Sequence, residues 1–264
     1  METKSISKIE SHAKHLASAW KTGEGVQPVT VLAPELTIDE AYHVQLHTIE
    51  ENVKNGQKIT GKKIGLTSKA MQDMLGVGEP DYGHLLDGME VGNGETILFK
   101  RVLQPKVEGE IAFILKDDLI GPNVTTLDVL QATDLVVPAL EIVDSRIKDW
   151  KITLEDTVAD NASSGLYVLG GRPKKLADID IKQIGMALYK NNELQNTGVG
   201  AAALGNPATC VAWLANKLAT YGITLKAGEV ILSGALSAAI EAEPGDEFYV
   251  KFAELGEVRV SFTE

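Results

Sequence analysis

The stretch Lys106-Val-Glu-Gly-Glu-Ile-Ala-Phe-Ile-Leu115 decides the fold, because its pattern predicts a strand that runs into the core. Side chains two residues apart on a strand lie on the same face, so Glu108 and Glu110 project together from it. Two adjacent carboxylates at the mouth of a buried strand repel each other and lose hydration, and a divalent cation removes both costs. Taken alone, a solvated strand end is the simpler explanation of the pair.

A third glutamate favours a metal site. Glu141 lies in the run Val136–Val143, which is apolar enough to be a buried strand, and a lone buried glutamate needs a partner. Together with Glu108 and Glu110 it makes an all-oxygen site that suits Mg²⁺ or Mn²⁺, with the remaining positions left to water and substrate. A zinc site with histidine ligands is less favoured, because every histidine precedes this region: His12, His15, His43, His47 and His84.

On both sides of the strand predicted at Lys106–Leu115, the sequence predicts strands and helices that do not alternate regularly. This pattern indicates the α+β class. Strands are predicted at Gln104–Lys116, Leu135–Arg146, Gly165–Gly170, Gly185–Lys190, Glu229–Gly234, Glu247–Phe252 and Glu257–Phe262. Helices are predicted around Ile9–Trp20, over about 38–54, at Thr126–Thr133 and from Pro207 to Tyr221. We expect a helical N-terminal region over residues 1–60 and a β-rich catalytic domain over 61–264, packed as one structural unit.

Composition excludes several classes of function. The net charge of −12, with only 25 basic residues, argues against a nucleic-acid partner, which needs clustered lysine and arginine. No run of residues is long and apolar enough for a membrane span, and the first residues lack the apolar core of a signal peptide, so a cytoplasmic location is expected. Cys210, the only cysteine, lies in an apolar helical segment and is predicted to be a core residue.

Two segments upstream of the glutamates carry candidate catalytic groups. The segment Gly61-Lys-Lys-Ile-Gly-Leu-Thr-Ser-Lys69 places Lys62 and Lys63 on opposite faces if it is extended, so only one of them faces a pocket. An amine beside a metal-bound oxoacid could polarise an enol or carry a proton, whereas two solvated lysines are the alternative. The segment Pro80-Asp-Tyr-Gly83 predicts a turn with Asp81 as its capping residue.

Two later segments carry candidate binding groups. Thr157–Gly165 places Asn161 and Ser163 in one short stretch, which is either a hydrogen-bonding rim or an Asx-type turn between strands. Ser233 and Gly234 end a predicted strand with small residues, a pattern that suits a carboxylate resting on backbone N–H groups.

The combination is more specific than its parts. The segments Gly61–Lys69, Glu79–Gly83 and Gln104–Phe113 resemble those of the 2-hydroxypenta-2,4-dienoate (2-oxopent-4-enoate) hydratases, and so do Pro138–Trp150 and Thr157–Gly165. These enzymes belong to the fumarylacetoacetate hydrolase superfamily and act in meta-cleavage catabolism of aromatic compounds. The resemblance runs from about residue 37 to the C-terminus, with the motifs in the same order.

This resemblance implies a fold and a reaction. The fold would be a mixed β-roll or sandwich with flanking helices, usually assembled into homo-oligomers. The reaction would be hydration of the dienoate to 4-hydroxy-2-oxopentanoate by a hydro-lyase, with the metal chelating the 1-carboxylate and 2-oxygen of the substrate. The implied roles are metal ligation by Glu108, Glu110 and Glu141, catalysis by Lys63 and Asp81, and carboxylate binding by Ser163, Ser233 and Gly234.

Other functions remain open from the sequence. The sister 4-oxalocrotonate decarboxylases share the metal ligands but carry an apolar residue where Asp81 stands, so Asp81 favours hydration. A seven-carbon dicarboxylate hydratase would have a longer segment at Lys148–Glu155, and C–C hydrolysis would need a histidine near the metal motif. The chain could also serve as a non-catalytic partner subunit of a hydratase–decarboxylase complex, although such a subunit is expected to lose its metal ligands first.

Overall fold

The computed structural model describes residues 2–69, 72–73 and 76–264, with side chains described from residue 7 onward. Its helices are α1 (Glu2–Thr22), α2 (Val29–Leu32), α3 (Ile38–Lys54), α4 (Thr126–Ala132), α5 (Leu154–Ala159) and α6 (Pro207–Ala219). Its strands are β1 (Ile59–Gly65), β2 (Asp81–Leu86), β3 (Glu90–Val91), β4 (Thr96–Ile97), β5 (Pro105–Leu115), β6 (Thr133–Asp144), β7 (Ser164–Leu169), β8 (Gly185–Lys190), β9 (Glu193–Val199), β10 (Val230–Leu232), β11 (Ile240–Glu241), β12 (Glu247–Phe252) and β13 (Gly256–Phe262).

Two mixed sheets form the body of the protein. In one, the described strands follow the order β2-β1-β10-β5-β6-β7-β3, and β11 also pairs with β5. In the other, the order is β4-β13-β12-β8-β9. Most neighbouring strands are antiparallel, whereas β1 with β10, β3 with β7 and β4 with β13 are parallel pairs. The predicted α+β class, with mixed sheets and flanking helices, is confirmed.

Local sequence explains the helix boundaries. Thr37 accepts a hydrogen bond from the backbone N–H of Glu40, and the Glu40 side chain accepts one from Thr37, so α3 begins with a complete capping box. The same pattern starts α4 and α5, at Thr125 and Thr153. Helix α3 packs against α1 and α5, which places α5 and the turn that follows it beside the large sheet.

The long hairpin of β5 and β6 occupies the centre of the large sheet and is buried over most of its length. Most of its core side chains join a large hydrophobic cluster that also includes residues of α1, α3 and α6, and Ala112, Val137 and Ala139 belong to a second, smaller cluster. Cys210 belongs to this cluster and is fully buried, as predicted. Among the described residues, no helix is both long enough and apolar enough to cross a membrane.

One prediction of local structure is wrong. Pro80–Gly83 does not form a turn, because Asp81, Tyr82 and Gly83 begin strand β2, which pairs antiparallel with β1. Gly83, which suggested a turn, is needed at this position for a different reason. A Cβ atom at Gly83 would lie 2.5 Å from the carbonyl oxygen of Asn161, so the close approach of the turn after α5 requires a residue without a side chain.

Candidate metal centre and active-site pocket

The register of the central hairpin brings the three glutamates together. Glu108 on β5 lies directly opposite Glu141 on β6, and Glu110 lies two residues further along β5 on the same face. One carboxylate oxygen from each residue can be chosen so that all three lie within 4.8 Å of one another. Glu110 and Glu141 are buried, and Glu108 is half-buried.

Several oxygen atoms of these carboxylates have no hydrogen-bond partner among the described residues. Oε2 of Glu110 accepts a 2.8 Å hydrogen bond from the backbone N–H of Gly234. In the described part of the chain, Oε1 of Glu110 and both carboxylate oxygens of Glu141 are buried without a hydrogen-bond partner. Buried polar atoms normally have hydrogen-bond partners, so unpartnered oxygens on two of three converging carboxylates fit a bound cation.

The electrostatics of the metal-free cluster lead to the same conclusion. Burial, reinforced by the neighbouring Glu141 carboxylate, raises the pKa of Glu108 to about 8. Burial and the two neighbouring glutamates raise the pKa of Glu110 well above its ordinary value, and burial also raises the pKa of Glu141. The site therefore disfavours three simultaneous negative charges unless a divalent cation is present.

Strand β1 separates the two adjacent lysines as the extended pattern predicts. The Lys63 ammonium donates a 3.0 Å hydrogen bond to the carbonyl oxygen of Ala162 and lies 3.4 Å from Oε1 of Glu141. Burial alone would lower the pKa of Lys63, but Glu141, Asp81 and the other carboxylates outweigh burial and raise it. Lys62 points to the other face, where its ammonium forms a buried ion pair with Glu229.

Asp81 begins strand β2 beside Lys63. Its Oδ2 atom accepts a 2.9 Å hydrogen bond from the hydroxyl of Thr157 on α5. Its Oδ1 atom lies 3.8 Å from the Lys63 ammonium and is buried, with no hydrogen-bond partner among the described residues. A Cβ atom at Gly65 would lie 2.3 Å from Oδ1 and 2.9 Å from the ammonium, so this glycine makes room for the pair.

The turn after α5, residues 161–163, lies beside Lys63 and Asp81 and completes this side of the site. Asn161, Ala162 and Ser163 have φ angles of 54°, 51° and 51°, which is left-handed backbone that residues other than glycine rarely adopt. The Asn161 side chain fixes the turn to β2, since it accepts a hydrogen bond from the N–H of His84 and donates one to its carbonyl. The turn thereby presents the Ala162 carbonyl to Lys63.

A buried ion pair braces the same turn. The Arg146 guanidinium is paired with the carboxylate of Asp160 and also donates to the carbonyl oxygens of Asp144 and Ser164. Burial raises the pKa of Asp160 to about 6, although the Arg146 charge acts in the opposite direction. Arg146 therefore links the end of β6 to both ends of the turn.

A cavity of about 230 Å³ opens between these groups. Four of the predicted site residues line it: Lys63, Asp81, Glu108 and Ser163. Ser233 and Gly234 do not line it, because the Ser233 hydroxyl donates to the Ile111 carbonyl and the Gly234 N–H is directed to Glu110. A larger cavity of about 340 Å³ lies behind the turn, and none of the three glutamates lines it.

Sequence reasoning missed three residues of the pocket. Thr157 holds Asp81, and Lys106 and Trp150 line the cavity with the Lys106 ammonium 4.5 Å from the centre of the indole ring. Lys106 could have been found, because it lies two residues before Glu108 on the same strand face. Thr157 and Trp150 enter through tertiary packing and give no comparable signal in the sequence.

Known proteins resemble this chain over nearly its whole length. It is 46% identical to a 2-hydroxyhexa-2,4-dienoate hydratase of Comamonas testosteroni, over 97% of this chain and 98% of that protein. It is 52% identical to a 2-hydroxypent-2,4-dienoate hydratase of Pseudomonas putida, over 81% of this chain and 97% of that protein. A solved structure of 4-oxalocrotonate decarboxylase from Pseudomonas putida G7, complexed with magnesium and adipate, superimposes with a TM-score of 0.95 at 37% identity, covering 97% of this chain and 98% of the other.

A family comparison agrees with these relatives. The profile described as fumarylacetoacetate (FAA) hydrolase C-terminal matches residues 86–263, which include β5, β6 and all three clustered glutamates. The expected fumarylacetoacetate hydrolase-like fold is therefore confirmed. Because this profile covers more than half of the chain and the named hydratases match 97% and 81% of it, the chain belongs to the fumarylacetoacetate hydrolase family, in the group that contains the 2-hydroxydienoate hydratases.

Proposed function

We propose that this protein is a metal-dependent hydro-lyase that adds water to 2-hydroxypenta-2,4-dienoate (2-oxopent-4-enoate), giving 4-hydroxy-2-oxopentanoate. This reaction serves meta-cleavage catabolism of aromatic compounds. The observation that carries the proposal is a cluster of three buried or half-buried carboxylates beside a cavity lined by Lys63 and Asp81. The hydratase names of relatives that are 46% and 52% identical support the reaction type.

Glu108, Glu110 and Glu141 would hold the metal, and Mg²⁺ or Mn²⁺ suits their all-oxygen donor set. When bound, the metal supplies Lewis-acid stabilisation of negative charge on the substrate's carboxylate and 2-oxygen. The Gly234 N–H keeps the Glu110 carboxylate in its orientation, because it holds Oε2 at 2.8 Å. Solved structures of the decarboxylase relative, one with magnesium and one with calcium, support a divalent ion here.

Lys63 and Asp81 divide the proton chemistry. The Lys63 ammonium remains protonated among the carboxylates and stabilises negative charge on the 2-oxygen as the dienol ketonises. Oδ1 of Asp81 has no hydrogen-bond partner among the described residues, so it is available to take the proton of the 2-hydroxyl and deliver it to the far carbon, C5. The same atom then takes a proton from the water whose oxygen adds to C4 of the conjugated enone and passes that proton to C3, which leaves Asp81 as it began.

Ser163 orients the substrate carboxylate from the left-handed turn. The Gly234 N–H acts through the proposed metal ligand Glu110, to which it donates, whereas the Ser233 hydroxyl donates to the backbone carbonyl of Ile111 on strand β5. Direct contact between these two residues and the substrate stays a prediction from the sequence. A homo-oligomeric assembly and a cytoplasmic location also stay predictions.

Decarboxylation of 4-oxalocrotonate is the second candidate, and the close superposition on a decarboxylase structure supports it. We favour hydration because Asp81 is present and is held by Thr157, whereas decarboxylation needs no group to activate water. Association with a sister decarboxylase is a further proposal. A purely non-catalytic subunit is disfavoured, because the three carboxylates and Lys63 are all in place.

One parallel assay separates these functions. The protein is supplied with Mg²⁺ and either 2-hydroxypentadienoate or 4-oxalocrotonate, while ultraviolet absorbance and CO₂ release are followed. We expect loss of the dienoate absorbance without CO₂, and expect Lys63→Ala and Asp81→Asn to abolish it. Full activity of either variant would contradict its assigned role. Thermal stabilisation by Mg²⁺ that disappears in Glu108→Ala distinguishes a metal enzyme from a scaffold.

A further inference from the structure

Lys106 is a cation in the active-site pocket, and its ammonium has no anionic partner within the part of the chain that the structure describes. It lies on β5 two residues before Glu108 and on the same face, about 7 Å away by the rise of an extended strand. The Lys106 ammonium forms no ion pair or hydrogen bond with any described residue, and it lies 4.5 Å from the centre of the Trp150 ring. Its charge is therefore available to a ligand in the cavity.

Trp150 is held firmly in place beneath this ammonium. Its indole N–H donates a 3.0 Å hydrogen bond to the carbonyl oxygen of Gln104, and the Gln104 side chain accepts one from the N–H of Asp149. Asp149 and Trp150 both have left-handed φ angles, of 58° and 54°. Such strained backbone persists where the surrounding contacts fix it, so the Trp150 ring has a fixed position against the Lys106 ammonium.

The remaining lining of the pocket is poor in cations. Apart from Lys106, its charged side chains are Lys63, Asp81 and Glu108. Lys63 already donates to the Ala162 carbonyl and lies among carboxylates. The large side chains that complete the described wall, beside Trp150, are apolar: Leu66, Val77, Val143, Ile152 and Leu154.

We propose that Lys106, supported by the Trp150 ring, binds the single carboxylate of the substrate, and that the apolar wall receives the opposite end. The enzyme then selects 2-oxo and 2-hydroxydienoic acids with one carboxylate and an apolar tail over the corresponding dicarboxylates. This inference rests on the proposed function and specifies its substrate class.

Electrostatics supports the assignment. The chain carries a net charge of −12, so its overall field repels an anionic substrate, and a local cation must offset that repulsion. A substrate carboxylate bound beside Glu108 would be on the same strand face as Lys106, two residues along β5. The second carboxylate of a dicarboxylate would lose its hydration against apolar side chains with no cation to replace it.

Equilibrium binding of unreactive analogues tests the proposal on the full chain. The affinities of 2-oxopentanoate, with one carboxylate, and 2-oxohexanedioate, with two, are measured by calorimetry in the presence of Mg²⁺. We expect the wild type to bind the monocarboxylate at least about ten-fold more tightly. Loss of a charge-assisted contact in Lys106→Met should weaken monocarboxylate binding about ten-fold to one hundred-fold. Lys106→Arg should retain most of it.

Two further variants make the test specific. Lys148→Met removes an exposed lysine from the segment that leads to Trp150 and should leave both affinities unchanged. Ile152→Arg adds a cation to the half-buried end of the apolar wall and should improve dicarboxylate binding about ten-fold.

The proposal is overturned if the wild type binds the dicarboxylate as tightly as the monocarboxylate, or if Lys106→Met binds the monocarboxylate as well as wild type does. Either result can occur in an enzyme that still hydrates 2-hydroxypentadienoate, so it leaves the proposed function intact. Failure of the proposed function instead appears as no turnover of any dienoate with Mg²⁺ or Mn²⁺.

Discussion

The hydroxyl of Thr157 donates a 2.9 Å hydrogen bond to Oδ2 of Asp81, and this contact joins helix α5 to the first residue of strand β2. It occupies one carboxylate oxygen and leaves the other, Oδ1, beside Gly65 and the Lys63 ammonium. One oxygen therefore positions the carboxylate, and the other is the atom to which the proposed mechanism assigns proton transfer.

Thr157→Val is expected to lower kcat about ten-fold to one hundred-fold with little change in KM, because Asp81 loses the donor that orients it. The free energy of unfolding should fall by about 1–3 kcal/mol, the cost of leaving a buried acceptor unsatisfied. Steady-state kinetics and urea unfolding measure the two effects. Thr157→Ser, which keeps the hydroxyl, is the matched control and should restore most of kcat, and equal losses in both variants would contradict the positioning role.

Gly65→Ala tests the space between Lys63 and Asp81. The new methyl group would lie 2.3 Å from Oδ1 of Asp81, closer than any real contact, so the carboxylate and the ammonium must move apart. We expect hydratase activity to fall at least about one hundred-fold, since misplacement by an ångström is costly in catalysis. Gly185→Ala, where an added Cβ meets nothing within 4 Å, should retain activity. If Gly65→Ala has the kinetics of the wild type, this glycine is not needed to make room for Lys63 and Asp81.

The raised pKa values of the glutamates make metal binding depend on pH. In the metal-free protein the raised pKa values keep these carboxyl groups protonated at higher pH than usual, and Glu108 keeps its proton up to about pH 8. In the unfolded chain the same groups ionise near their ordinary pKa values. Because the unfolded state then binds fewer protons, the stability of the metal-free protein falls as pH rises through this window. A metal ion must displace those protons, so its binding strengthens over the same range.

The increase in Tm caused by Mg²⁺ should therefore be larger at about pH 8.5 than at about pH 6, which thermal unfolding with and without the ion measures. Glu108→Gln removes one of the titrating ligands and should reduce both the metal effect and its pH dependence. An equal Tm increase at the two pH values in the wild type would show that no proton is displaced.

Arg146→Met should destabilise the protein by about 3–5 kcal/mol, because it leaves the Asp160 carboxylate buried without its counter-charge. The double variant Arg146→Met/Asp160→Leu should lose less than the two single variants combined, since no unpaired charge remains. Urea unfolding gives both values. Arg259→Met removes an arginine from an exposed ion pair with Glu257 and should cost about 1 kcal/mol or less. If Arg146→Met lowers the free energy of unfolding by as little as Arg259→Met does, the Arg146–Asp160 ion pair does not stabilise the turn.

Much of the candidate metal centre could be predicted from the sequence, because its signals are local. The two-residue period placed Glu108 and Glu110 on one face, and the apolar run around Glu141 required a partner for that glutamate. The register that sets Glu108 opposite Glu141 could not be read from either strand alone. It results from the pairing of β5 with β6 along their whole length.

The rest of the pocket depends on contacts between distant segments. Pro80–Gly83 has the composition of a turn, yet β1 pairs with it and the Asn161 carbonyl packs against Gly83, so the segment is extended. Thr157 lies 76 residues from the aspartate that it holds. Local propensity carries no information about such pairs, and tertiary packing overrides the turn signal.

The active-site pocket draws on two kinds of structure. Glu108, Glu110 and Glu141 lie on the central hairpin of the sheet, whereas Trp150 and Ile152 come from the segment that connects β6 to α5. A connecting segment tolerates exchange and length change far better than a buried strand does. Substrate preference can therefore diverge during evolution, or be redesigned in the laboratory, through changes in the sequence of that connecting segment, while the three glutamates of the hairpin stay unchanged.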